Sequence, residues 1–196
     1  MNKEHLIQNL YAQKFSPRVV EAFNIVPREN FVPEDMKQFA YIDDALPLVK
    51  GATISQPSTI AFMLELLELK KGQKVLEIGS GSGYVLALLA EITGGEIYGI
   101  EILPVLAEKS KETLKDYKNI HIVNENGFHG LPEKTPFDKI LISASTTKIP
   151  AHLLYQLSDN GILVAPVRNS IFQVKKMDSQ TITKEFPGFI FVPLRE

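Results

Sequence analysis

From Gln73 onward the chain alternates between two hydrophobic periods. Short apolar runs in "KVLEI", "EIYGI", "NIHIV", "DKILISA" and "GILVAPV" read as strands bounded by turn residues. Between them, "YVLALLAEI", "PVLAEKSKETL" and "PAHLLYQL" carry helical spacing. Strands that alternate with helices need crossover connections, and right-handed crossovers build a parallel sheet covered on both faces. The tail differs. "IFQVKKM" and "ITKEFPGFIFVPL" are two extended segments with no helix between them, which predicts a closing antiparallel hairpin.

Before Gln73 the pattern is helical and irregular. "SPRVVEAFNIVP" predicts a helix with Ser16 as N-cap and Pro17 in the first turn. The stretch with Pro27, Pro33, Pro47 and Pro57 reads mostly as loop. A helix starting near Pro57 would place Ile60, Met63, Leu64 and Leu67 on one face. The expected organisation is an N-terminal helical and loop region, 1–72, joined to an α/β core, 73–196, in one compact unit.

Composition narrows the function. The 196 residues are 44% hydrophobic and 22% charged, with a formal net charge of -2, so no overall basic field argues for nucleic acid or an anionic membrane. There is no cysteine, which excludes disulfides and thiolate metal sites and fits a reducing cytoplasm. The opening stretch lacks the apolar core of a signal peptide, and no apolar run reaches membrane-spanning length. His5, His121, His129 and His152 have no metal-ligand spacing, so no metal is expected. Asp43 and Asp44 are adjacent on a loop and point apart, so a shared proton is not expected and one of them is expected to fix that loop.

The densest chemical signal is "VLEIGSGSGYVLALLA", Val75 to Ala90. Gly79 follows a strand and a helix begins near Gly83, so the turn stands where α/β sheets bind ligands. Glycines there let backbone approach a ligand, and the helix N-terminus offers a seat for an anion. The spacing is G-x-G-x-G, with Tyr84 where a dinucleotide fingerprint wants its third glycine, and no G-K-[ST] follows. S-adenosylmethionine, with one carboxylate and a ribose bearing two free hydroxyls, fits better than a dinucleotide. Glu101 ends the next strand, where a ribose-binding acid belongs.

These motifs resemble the protein-L-isoaspartate O-methyltransferase family. The matching pieces are "VPRENFVP", "YIDDALPLVKGATISQP", "VLEIGSGSGY", "NGFHGLPEKTPFD", "IPAHLLYQL" and the terminal "FVPL", covering nearly the whole chain. The resemblance implies a Rossmann-like, class I methyltransferase three-layer sandwich with the N-terminal helical segment as an addition. It implies methyl transfer from S-adenosylmethionine to the free carboxylate of L-isoaspartyl residues in damaged proteins and peptides. The ester then collapses to a succinimide that partly hydrolyses to aspartate. Ser55 matches the family's active-site serine. The implied cofactor set is Thr53, Ile54, Ser55, Glu77, Gly79, Ser80, Gly81, Gly83, Glu101, Ile102, Asn126, Gly127 and Gln173. A cytoplasmic monomer acting on isoaspartyl proteins, with no nucleic acid or membrane partner, is the expected setting.

Two departures stand out. Asn126 replaces the family's aspartate beside the adenine, keeping a carbonyl acceptor. "SASTTKIP" places Ser145, Thr146 and Thr147 where the family has Ala-Ala-Pro. They keep two alternatives open: a methyltransferase of this fold acting on a small metabolite or tRNA, and a noncatalytic module that binds S-adenosylmethionine. For the leading reading, an α-carboxyl-like acceptor with a pKa of roughly 3.5 is already ionised at neutral pH. No general base is then needed, and Ser55 would orient the acceptor. The competing reading makes Ser55 the cap of the helix at Pro57.

Overall fold

The computed structural model describes residues 2–178 and 180–194. The N-terminal region supplies α1 (Lys3–Ala12), α2 (Pro17–Ile25), a two-residue ribbon of β1 (Leu46–Pro47) and β2 (Thr53–Ile54), and α3 (Pro57–Leu66). Ser16 is the N-cap of α2, with Pro17 in its first turn, as the sequence predicts. The proline-rich stretch is more ordered than a loop: Arg28–Phe31 and Glu34–Phe39 form 3₁₀ turns.

The core follows as β3 (Val75–Ile78), α4 (Tyr84–Thr93), β4 (Ile97–Ile100), α5 (Pro104–Thr113), β5 (Ile120–Val123), β6 (Phe137–Ile142), α6 (Ala151–Leu154), β7 (Leu157–Val167), β8 (Ser170–Met177) and β9 (Gln180–Pro187). The spatial order is β5-β4-β3-β6-β7-β8-β9, parallel through β7 and antiparallel across β7, β8 and β9. The expected parallel sheet with its antiparallel closing hairpin is therefore present.

Strand periodicity sorts the core into two clusters. Leu76, Ile78, Ile140, Ile142 and Leu163 face one side, with Phe137 and Leu153. Val75, Leu141, Ile162 and Val164 face the other, where they join Leu6, Phe23, Leu64 and Leu88. The N-terminal helices thus share a core with the sheet.

Two expectations need correction. "PAHLLYQL" makes only one helical turn. Gln156 is drawn inward instead, its side-chain amide accepting from the Leu131 N–H at 2.9 Å and donating to the His129 carbonyl at 2.6 Å, and β7 begins at the next residue. The last extended segment is broken at Gly188, whose φ of +98° turns the chain back. Beyond it Phe189 stacks on Phe62 of α3, with centroids 5.3 Å apart. Val192 and Leu194 then bond to either side of Ser145 at 2.8 Å, so a strap crosses the carboxyl end of the sheet.

Candidate active site

Three cavities meet at the carboxyl ends of β3, β4 and β6. The first, about 40 Å³, lies among Thr53, Ile54, Ser55, Glu77, Gly79–Ser82 and Phe191. The second, about 270 Å³, continues from Gly79 and Gly81 over Glu101, Ile102 and Leu103. The third, about 450 Å³, opens on the other side, between Ala45, Gln56, Thr59 and the strap residues Ile190–Pro193. Thr53 and Ser143 border all three, and Ser55 borders the first and third.

The glycine turn explains the first two. Gly79, Gly81 and Gly83 have φ of +79°, +55° and +85°, so each sits where a side chain would be strained. Gly79 and Gly81 face the cavities. Gly83 does not: a Cβ there would stand 2.7 Å from Leu114 Cδ1, so its role is to seat α4 against α5. The Gly81 N–H donates to Glu101 Oε2 at 2.8 Å, and the Leu103 N–H donates to Oε1 at 2.8 Å. The anion held by the turn at Gly81 is therefore the protein's own Glu101, whose carboxylate keeps lone pairs for further donors.

Glu77 lies beneath the turn. Its Oε1 accepts from the Ser143 hydroxyl at 2.7 Å, while Oε2 is buried without a partner, as is Ser80 Oγ. Burial, with a smaller push from Glu101, raises the Glu77 carboxyl to about 8, against the bond from Ser143. Two orphaned polar atoms and a fixed carboxylate fit S-adenosylmethionine: the ammonium against Glu77, the ribose hydroxyls against Glu101.

Ser55 follows β2 and precedes Gln56, the N-cap of α3. The N-terminal turn of α3 is served from elsewhere, because Asp43 Oδ1 accepts from the Ser58 N–H at 2.8 Å. The helix-cap reading of Ser55 therefore fails. Its hydroxyl has no hydrogen bond among the described residues, and its carbonyl accepts from Arg28 Nη2 at 2.9 Å. Asp44 bonds its own loop, at the Ala45 N–H, so the aspartate pair shares nothing.

Three further expected cofactor residues border none of these cavities. Gln173, on β8, donates its amide to the Leu66 carbonyl, which ties the hairpin to α3. Gly127 packs over the ends of β3 and β4, where a Cβ would come within 2.6 Å of Ile78 Cγ2. Asn126 is exposed, and its carbonyl accepts from the Phe128 N–H at 2.9 Å. Sequence reasoning missed Ser143 and Arg28. Ser143 follows β6 directly, so the strand-end rule that found Glu101 also points to it.

Comparison with known proteins adds an independent line. The family model described as Protein-L-isoaspartate(D-aspartate) O-methyltransferase (PCMT) matches residues 1–196. A protein named protein-L-isoaspartate O-methyltransferase from Ignicoccus hospitalis is 42% identical across 99% of this chain and 97% of its own. One of the same name from Methanococcoides burtonii is 41% identical across 96% and 97%. A solved structure with that name superposes over all of this chain at TM-score 0.93 and 27% identity; this chain spans 66% of that one. A Plasmodium falciparum structure titled a protein-L-isoaspartate O-methyltransferase, in complex with S-adenosyl-L-homocysteine, matches at TM-score 0.87 and 25% identity, covering 100% and 99%.

Proposed function

The chain belongs to the protein-L-isoaspartate O-methyltransferase family, and on that premise we propose how its own residues carry out the reaction. The activity is transfer of a methyl group from S-adenosylmethionine to the free carboxylate of L-isoaspartyl residues, the first step of their repair. The observation that carries our assignment is the place of Ser55, on the wall shared by the narrow cavity and the outer one, with its hydroxyl uncommitted.

The donor supplies an activated methyl group on a positively charged sulfur. Glu77 and Glu101 hold its ammonium and its ribose, and Gly79 and Gly81 let the backbone lie close. Thr53, Ile54, Ser80 and Ile102 complete its seat. Ser55 donates its hydroxyl to one oxygen of the acceptor carboxylate and keeps the other on the line of attack. The new oxygen–carbon bond forms as the carbon–sulfur bond breaks, and the departing pair stays on sulfur. No proton moves, so positioning and exclusion of water supply the rate. Phe191 and the strap cover the junction of the cavities and help keep water out.

We read residues 1–72 as the acceptor side and 73–196 as the donor side of one unit. We also read it as a cytoplasmic monomer acting on protein rather than nucleic acid, which the net charge of -2 supports. Among the described residues no helix is long and apolar enough to cross a membrane. The test uses methyl-labelled S-adenosylmethionine with paired peptides differing only in aspartyl or isoaspartyl linkage. Base-labile label in the isoaspartyl peptide alone is expected. Equal labelling of both, or of neither while S-adenosylhomocysteine still binds, contradicts the assignment.

A further inference from the structure

The acceptor of this reaction is an anion, yet among the described residues no lysine or arginine borders any of the three cavities. Their acidic residues are Glu77 and Glu101, and with Glu77 ionised beside a donor ammonium the pair suits the cationic donor and offers a carboxylate no attraction. One positive charge stands just behind the wall. Arg28 is wholly buried, donates Nη2 to the Ser55 carbonyl, and holds its guanidinium 5.1 Å from the Tyr84 ring centroid. Its Nε and Nη1 make no hydrogen bond of normal geometry, the Tyr84 side chain is the polar group nearest to acting on them, and among the described residues no carboxylate lies within ion-pair distance of it. Asp43, Tyr41 and Tyr84 are the titratable groups that act on it; the Asp43 carboxylate, whose Oδ1 accepts from the Ser58 N–H, attracts it from beyond ion-pair distance.

A buried cation with no carboxylate at contact distance is costly, and an apolar side chain of equal length would fill the space at less expense. A purely structural pin does not need the charge. We propose that Arg28 is a positioning residue that acts through Ser55: it fixes the backbone carrying the serine hydroxyl, and its unneutralised charge draws the isoaspartyl carboxylate to that hydroxyl. The inference rests on the isoaspartyl reading above. The sulfonium and the carboxylate thus meet between two acids on the donor side and one cation on the acceptor side. Low local polarity lets the charge act through the intervening peptide group.

The test varies charge on both partners. Binding is measured, with S-adenosylhomocysteine present, for an isoaspartyl peptide and for its isoasparaginyl counterpart, which carries a neutral carboxamide. Wild type should prefer the carboxylate by about tenfold, Arg28→Lys should keep most of that preference, and Arg28→Met should reduce it to within about twofold. In turnover, Arg28→Met should raise KM for the peptide about tenfold and change kcat far less. S-adenosylhomocysteine affinity reports folding and should hold in both variants. Equal binding of the two peptides by wild type overturns the inference, as does an undiminished preference in folded Arg28→Met. If Arg28→Met loses S-adenosylhomocysteine binding by unfolding, the wild-type comparison and Arg28→Lys decide the matter. Absence of any methyl transfer by wild type to the isoaspartyl peptide overturns the underlying reading, and the inference with it.

Discussion

On the proposed reading Glu77 holds the donor and Ser55 aligns the acceptor, and each role is measurable. With its carboxyl raised to about 8, Glu77 is mostly protonated in the free protein at neutral pH. A donor ammonium beside Oε2 favours the ionised form. Binding of S-adenosylhomocysteine at pH 7 should therefore release close to one proton, and the release should vanish well above pH 8. Calorimetry in buffers of different ionisation enthalpy reads this directly, and Glu77→Gln should abolish it and weaken binding. Ser55→Ala should lower kcat about 10- to 100-fold with little change in donor affinity, since the hydroxyl orients only the acceptor. If the substitution alters thermal stability alone, the assignment fails. Asn126→Asp keeps an acceptor for the Phe128 N–H, so donor binding should hold or tighten. The glycine turn and Glu101 stood out in the sequence because their signals are local: a tight turn, a strand end, an acid at a fixed offset; Ser55 came only from the family resemblance. Arg28 did not stand out, because a basic residue after proline reads as surface until the fold buries it.

At the scale of elements, the turn from β3 into α4, the proposed donor seat, is backed by α5. Gly83→Ala would add strain at a positive φ and drive a methyl group into Leu114, so a loss of about 2 kcal/mol or more is expected. Chemical denaturation of the purified variant measures it; a loss within experimental error would show that α5 yields freely. The strands were readable because burial on both faces makes each a short continuous apolar run, as in Ile140, Leu141 and Ile142. The single turn of α6 was not, since Gln156 is pulled from its helical position by partners 25 and 27 residues earlier. Gln173 shows the same effect: a distant carbonyl at Leu66 decides where its amide goes.

Across the whole molecule, the N-terminal helices and the sheet share one core, so the acceptor wall at Ser55 is fixed relative to the donor turn. The far end of the sheet carries Lys139, nearly buried on β6 and lowered to about 8 by burial, despite attraction from Glu68 and Asp138. A lysine lowered from 10.5 gives its full stability above that pH and loses it as pH falls toward 8. Lys139→Met should thus be more stable than wild type at pH 7, and the gap should narrow between pH 8 and 10.5 in thermal unfolding. A gap that is constant with pH would contradict the burial argument. In the proposed reaction donor and acceptor converge on Ser55, and a crystal structure with S-adenosylhomocysteine and an isoaspartyl peptide would show whether they do. The expected complex has ribose hydroxyls on Glu101, sulfur turned toward Ser55, and the peptide carboxylate in the cavity under Ile190–Pro193. Sulfur directed away from Ser55, or a peptide bound elsewhere, would contradict it.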